Sequence, residues 1–508
     1  MAREIAGYYY DEEKKRFFPT RGPIPGSSRK RKSESSSSAD KSQKPASESD
    51  QARRTQSWMK SRSKILQFRE LCGNIIPSRK GKFNFQTTCQ NKQASQPLIW
   101  KYGQTQKKVD NVVQQMNIDI DTPAGTLETD ILLAGGLNGT LSLFLVGNVE
   151  QEFNYEIECS PEPVWPVNKV QQTECIAPHN LCMPVHASIF MGSDITCIKM
   201  LRMPVDGALT RNVLITTMGS GASRGVAYIM DVTAPLGYYS STSESLRRLA
   251  SFESTIWDAD CSYNGDKVAI GANRGAFLVN VESRVASQVL HCKSDVLSLQ
   301  LDNPGNIILC GLRNGAILTV DARQKCQDFA SQHRNPNVHH NSSRPKVECT
   351  NVELKVKKLP LQLQRNAHYP PKISMPSSIA CLKSLMLYDQ YFLASSMDGS
   401  IKLYDQRLIQ KGAVQSYEGY VNSHTRIQLG VDPTERFVMS GGEDCKMRLW
   451  SIKSGEMLFE NRFMSSVPSV VCWAKPAGEL LDDQDYWQKH EWGVWIGSRE
   501  GLFYMDWC

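Results

Sequence analysis

One pattern recurs along most of this chain and limits what it can become. A β-rich run ends in small residues, an Asp/Asn-Gly or similar tight turn follows, and an alternating strand comes next. The copies read "ILLAGGLNGTLSLFLV" (131–146), "VLITTMGSGASRGVAYIMDV" (213–232), "VAIGANRGAFLVNVESR" (268–284), "IILCGLRNGAILTVDAR" (307–323), "FLASSMDGSIKLYDQR" (392–407), "FVMSGGEDCKMRLWSI" (437–452) and "GVWIGSREGLFYMDW" (493–507). Asn314-Gly315 and Asp398-Gly399 supply the positive φ angles of two-residue hairpin turns. Small residues such as Gly311, Ser395, Ser396 and Gly441 stand where neighbouring sheets would crowd together near an axis. The pattern predicts an all-β fold of seven small sheets arranged as blades around that axis.

Spacing supports the count. The third-strand ends are expected at Asp231, Glu282, Asp321, Asp405 and Ser451, steps of 51, 39, 84 and 46 residues, against about 40–45 for repeats of this kind. The doubled step holds residues 324–375, which lack the small-residue run and the turn-plus-strand signature. They are expected to be a loop insertion, with a degenerate eighth blade as the alternative. His339-His340 within it has no spaced Cys or carboxylate partners and reads as loop surface rather than a metal site. "SPEPVWPVNK" (160–169) is too Pro-rich for a central strand and leaves the register across 150–230 open.

The N-terminal portion differs in kind. Residues 1–110 carry 24 basic against 10 acidic side chains, and the remainder 35 against 42, so the overall +7 conceals opposite signs. A net acidic main body is a poor reader of DNA or RNA, because nucleic-acid binding rests on Lys and Arg neutralising phosphates. Residues 19–56 have almost no large apolar side chains and are expected to be a disordered basic linker. Within them Arg29, Lys30, Arg31 and Lys32 form a cluster of the kind nuclear import receptors bind, with a solvated charge run as the plainer alternative. Residues 57–126 form an extension; Ile65, Phe68, Leu71 and Cys72 behind Ser57 predict a short amphipathic helix over 57–72. The fifteen cysteines are odd in number, without a C-x-x-C pair, and follow no apolar leader, which points to a reducing compartment. No uncharged apolar run approaches a membrane span, so a soluble intracellular chain is expected, in the nucleus with the cytoplasm as a second compartment.

The copies resemble the WD-repeat family over roughly residues 127–508, which implies a seven-bladed β-propeller there. Trp450 and the pair Tyr404-Asp405 stand at the Trp-Asp position, while the usual Gly-His pair is replaced by Gly419-Tyr420. Within that family "FLASSMDGSIKLYDQR" resembles the extended box of substrate receptors of cullin-4 RING ubiquitin ligases. The resemblance implies that Arg407 contacts the damaged-DNA-binding adaptor subunit, and through it cullin-4 and a RING protein, while another face presents an unknown substrate protein. Asp321-Ala322-Arg323 repeats the acid-x-Arg chemistry, and Glu282-Ser283-Arg284 does so more weakly. Equivalent positions in successive blades fall on one rim, so Arg284, Arg323 and Arg407 are expected in one arc, each held by its acid. The alternative for each triplet is a local surface ion pair of small energetic weight. "GYYYDEEKKRFFP" (7–19) is similar to the segment that opens one such receptor, which makes Tyr8, Tyr9, Tyr10, Asp11, Phe17 and Phe18 of residues 1–18 an aromatic hairpin or a peptide handle for a partner.

Catalytic signatures are missing from the sequence. There is no G-x-S-x-G elbow, H-E-x-x-H or Walker A loop, and "GSGASRG" (219–225) precedes a strand where a phosphate cradle needs a helix. Among the C-terminal aromatics Trp473, Tyr486, Trp487, Trp492 and Trp495, most are expected in the core, closing the ring against an N-terminal strand. The expected function is a non-catalytic receptor, without cofactor or metal and without nucleic acid or membrane as partner of the propeller. A WD-repeat scaffold of a nuclear RNA- or chromatin-associated complex is the alternative.

Overall fold

The computed structural model describes residues 8–11, 16–19, 75–78, 81–106, 109–122, 125–147, 155–166, 178–184, 187–205, 208–220, 223–232, 245–324, 326–328, 347–348, 372–474 and 493–507. The chain divides into two units, Met1–Lys82 and Phe83–Cys508. In the first, Tyr8–Asp11 pairs antiparallel with Arg16–Pro19, setting Tyr9 opposite Phe18, Tyr10 opposite Phe17 and Asp11 opposite Arg16. The amphipathic helix expected over 57–72 and the basic cluster Arg29–Lys32 lie outside the described residues.

The second unit is a seven-bladed β-propeller. Its blades, with strands in order from the axis outwards, follow the chain. Blade 1 begins Val112–Thr122, Gly125–Gly135, Thr140–Val146, with Leu181–Pro184 and Tyr155–Cys159 outside. Blade 2 is Ile195–Val205, Ala208–Thr217, Gly225–Asp231, Leu246–Phe252, and blade 3 is Ile256–Cys261, Lys267–Ala272, Gly275–Asn280, Ala286–His291. Blade 4 is Val296–Leu301, Ile307–Leu312, Ala316–Asp321, Lys372–Ser374, and blade 5 is Ile379–Ser384, Tyr391–Ser396, Ser400–Asp405, Gln415–Tyr417. Blade 6 is Gly430–Val431, Phe437–Gly441, Met447–Ser451, Met457–Asn461. Blade 7 is Val470–Trp473, Gly493–Ser498, Gly501–Asp506, completed by Leu98–Tyr102.

That last strand moves the start of the propeller well before residue 127. Leu98–Tyr102 runs antiparallel to Gly501–Asp506, with Trp100 opposite Tyr504. It carries none of the repeat's punctuation, because an outermost strand needs only to supply edge pairing and one apolar face. The closure is sealed by Trp507, stacked on Trp473 at 5.6 Å, whose indole N–H donates to the Ala94 carbonyl of the helix Phe85–Ala94 at 2.9 Å. Trp473 and Trp495 are core residues; Tyr486, Trp487 and Trp492 lie outside the described residues. Pro161–Trp165 pairs at the far edge of blade 7, the place a Pro-rich strand can occupy without breaking a ladder.

The segment 324–375 joins the third and fourth strands of blade 4 and is not loop throughout. Gln327–Asp328 pairs with blade 3, Val347–Glu348 pairs with blade 2, and Lys372–Ser374 is blade 4's own outer strand.

The first strands of neighbouring blades meet around the axis. Small residues permit the approach: a Cβ on Gly311 would lie 2.6 Å from Ile379 of the next blade. Polar groups tie blades together there. Asp258 of blade 3 accepts the Leu299 amide of blade 4 at 3.0 Å, and Arg426 reaches both Asp258 at 3.2 Å and the Thr196 carbonyl at 3.0 Å. Where the usual Gly-His pair is replaced by Gly419-Tyr420, the buried Tyr420 hydroxyl accepts from the Asn422 side-chain amide at 2.8 Å.

Candidate functional site

In a four-stranded antiparallel blade, the turns joining strands one to two and three to four lie on the same side of the disc. The acid-x-Arg triplets sit in the second of these turns. Their register is fixed by backbone pairing: Asp405 lies opposite Tyr391 and Asp321 opposite Ile307, the first residue of the second strand in each blade. The following amides confirm the equivalence, Gln406 donating to the Gln390 carbonyl at 2.8 Å and Ala322 to Asn306 at 2.7 Å.

At these two positions the geometry is the same. The Asp405 carboxylate accepts the Arg407 backbone amide at 2.8 Å and its Nε and Nη2 at 3.3 and 3.2 Å. Asp321 accepts the same three groups of Arg323 at 3.0, 2.9 and 2.9 Å. Each guanidinium is therefore gripped along one edge while its remaining N–H groups face outward; the side chains are 68% and 67% exposed. Hydrogen bonds from the arginines hold both carboxyls below the usual carboxylate range, that of Asp321 at about 2. Tyr404, in contrast, is buried and stacks on Phe392 at 5.5 Å, so it anchors the strand and offers a partner no surface.

Blade 3 departs from the expected arc. There Lys267 pairs with Asn280, and the amide of Val281 donates to Asp266, so Asn280 and not Glu282 matches Asp405. The position of Arg407 is consequently filled by Glu282, and Arg284 lies two residues beyond it. Asn280 spends its side-chain Oδ1 on the amide and hydroxyl of Ser283, both at 2.8 Å, closing a local turn. The sequence spacing misled because the acid-x-Arg string appears intact, while the pairing register that gives it meaning is shifted.

Blade 6 supplies a cation that the triplet pattern missed. Phe437 pairs with Ser451, so exposed Lys453 occupies the Arg407 position without an acid to clamp it. In ring order the equivalent positions of blades 3 to 6 read Glu282, Arg323, Arg407, Lys453.

The turn that carries Arg407 lies against a second turn rich in apolar side chains, the Gln406 side chain donating to the Asp389 carbonyl at 3.5 Å. Met386, Leu387 and Tyr388, in the turn between the first two strands of blade 5, are 59%, 55% and 52% exposed; Leu408 and Val414 are exposed beside them. Glu435 of blade 6 holds this turn, its buried carboxylate accepting the amides of Met386 and of Tyr388, the latter at 3.1 Å. Exposed large apolar groups clustered next to fixed cations mark a contact surface.

Three thiols within the blades are poorly suited to nucleophilic chemistry. Burial pushes Cys197 and Cys261 up to about 12 and Cys292 to about 11, which keeps them protonated at neutral pH. Among the described residues no cluster of His, Cys, Asp or Glu is arranged to hold a metal ion.

The architecture agrees with comparisons to known proteins. The profile of the WD domain, G-beta repeat, matches residues 413–451. Human "DDB1- and CUL4-associated factor 4" is 24% identical over 258 residues, 49% of this chain and 43% of that protein. Human "DDB1- and CUL4-associated factor 4-like protein 2" is 38% identical over 87 residues, 17% of this chain and 21% of that one. Rat "Target of rapamycin complex subunit LST8" is 25% identical over 115 residues, 22% and 35% of the two chains. The match thus spans less than half the length of the first of these relatives. With its seven blades and its WD repeat, the chain is a WD-repeat β-propeller protein similar to the DDB1- and CUL4-associated factor 4 proteins.

Proposed function

We propose that this protein is a non-catalytic substrate-recognition subunit of a cullin-4 RING ubiquitin ligase. In this reading the rim of blades 4 and 5 docks on the damaged-DNA-binding adaptor, and other surfaces present a protein for ubiquitination. The observation that carries the proposal is the repeated fork: Arg323 and Arg407 occupy equivalent places in adjacent blades, each oriented by its own carboxylate and each exposed. Two guanidiniums at a fixed spacing suit an acidic or carbonyl-rich protein surface, since Arg is the side chain best matched to planar bidentate recognition. The turn Met386–Tyr388 and Leu408 add apolar contact area, which supplies affinity where the charges supply orientation. Arg29–Lys32 would direct the assembly to the nucleus.

The test is reconstitution with the purified adaptor, comparing wild type with the Arg323→Ala/Arg407→Ala double variant. Both side chains are exposed, so the fold should survive, and affinity should fall by about tenfold or more. Undiminished binding by the double variant would remove the mechanism. Absence of any binding by wild type would favour a scaffold outside the ligase.

A further inference from the structure

Arg284, displaced from the docking register, helps to build a different site. A cleft of about 190 Å³ opens where the third-to-fourth strand turn of blade 3 meets the outer strand of blade 2. Arg247, Arg248, Arg284 and Glu282 line it, with Leu249 and Val281 in its apolar floor. Among the described residues none of the three arginines has a hydrogen-bond or ion-pair partner for its guanidinium, whereas Arg323 and Arg407 are each clamped. Three arginines and one glutamate give the lining residues a net charge of +2.

Arg284 also holds its place against its backbone preference. It sits at φ 55, in the left-handed region that favours glycine. The equivalent turn position in blade 6, four residues after Ser451, is taken by Gly455 at φ 69. An arginine where the turn itself asks for glycine points to a use for its side chain.

We infer that this cleft between blades 2 and 3 binds a phosphomonoester, carried as a phosphoserine or phosphothreonine on an extended peptide. The charges match, because a phosphorylated side chain brings about −1.5 to −2 at neutral pH and three strong acceptor oxygens. A carboxylate would bring half that charge and two oxygens, leaving guanidiniums unsatisfied. Leu249 and Val281 are buried and form the floor, whereas Val285, 41% exposed and next to Arg284 in the chain, would pack the aliphatic part of a neighbouring residue of the peptide, giving the site a reason to prefer peptide over free phosphate. The site shares the blade 3 turn that stands next to Arg323 in ring order, but its argument rests on the blade 2 and 3 residues alone and does not depend on adaptor docking.

The experiment uses the full chain and fluorescence anisotropy. A degenerate peptide pool centred on phosphoserine is compared with unphosphorylated and glutamate-centred pools, with inorganic phosphate as competitor. The phosphoserine pool should bind about tenfold or more tightly than either other pool, with affinity falling as salt rises. Arg284→Gly discriminates a ligand role from a structural one: it relieves the turn, so thermal stability should hold or rise, while phosphopeptide affinity drops by about tenfold. The Arg247→Ala/Arg248→Ala double variant should lose binding as well. Equal binding of phosphorylated and unphosphorylated pools, or full affinity in Arg284→Gly, would overturn the proposal. So would inorganic phosphate that binds as tightly as the peptides, since the apolar contact at Val285 would then contribute nothing.

Discussion

Glu435 of blade 6 receives the backbone amide of Tyr388 from blade 5 at 3.1 Å, while its own backbone stands at φ 54. A buried carboxylate thus fixes a turn belonging to the neighbouring blade, and that turn displays the apolar side chains beside Arg407. Glu435→Ala should leave two amides without their acceptor and cost about 1–3 kcal/mol of stability, measured by chemical denaturation. The same variant should weaken adaptor binding, because the turn would no longer be held in its binding conformation. Unchanged stability would show that water replaces the carboxylate at no cost.

Asp405 is predicted to act through Arg407. Asp405→Ala removes the fork without touching the exposed surface, so adaptor affinity should fall although no contact atom has been deleted. Arg407→Lys should fail to restore binding, since an ammonium cannot reproduce the planar two-point grip on Asp405. Full binding by the lysine variant would mean that only charge matters at this position.

The shifted register of blade 3 predicts a gain. Replacing Asn280 with Asp and Glu282 with Arg would install a third fork at the position equivalent to Asp405 and Arg407. If the rim is the docking surface, this pair of substitutions should tighten adaptor binding and increase its salt dependence. Tightening that persists at high salt would instead assign the effect to something other than the added charge.

Acid should destabilise the propeller through carboxylates with low folded-state values. At Glu443, desolvation raises the carboxyl, but hydrogen bonds from Ser423, Thr425 and two backbone amides outweigh it and hold the group at about 2. Because the folded value lies below the unfolded one, the contribution is complete above about pH 4.5 and disappears as pH falls towards 2. Wild type and Glu443→Gln should therefore differ in thermal midpoint at pH 6 and converge near pH 2. A constant difference across that range would contradict the assignment.

Ring closure predicts the most damaging substitution. Trp507 is buried against Trp473 and bonds to Ala94, joining the last strand to the helix before the N-terminal closing strand. Trp507→Ala should cost about 3–5 kcal/mol, the range for emptying a large aromatic site. A loss below about 1 kcal/mol would show that the closure collapses around the gap.

The sequence by itself determined what local chemistry determines: the blades, through small residues at Gly311 and Ser395, and the place of the turns, through Gly315 and Gly399 at positive φ. Ser396 pairs with Ser400, however, so that turn closes three residues where Asp398-Gly399 predicts two. Positive φ and a missing Cβ are properties of single residues, so they are legible without neighbours. The acid-x-Arg forks of blades 4 and 5 were legible for the same reason, each being closed within three residues. Tertiary pairing decided the rest. It moved Asn280 into the place expected of Glu282, buried Tyr404 against Phe392, and recruited Leu98–Tyr102 to a partner strand at the far end of the chain. It also brought Glu435 to the turn at Met386–Tyr388 and Arg284 to Arg247 and Arg248. Strand register and contacts between blades depend on which backbone groups meet across the ring, and no short stretch of residues records that.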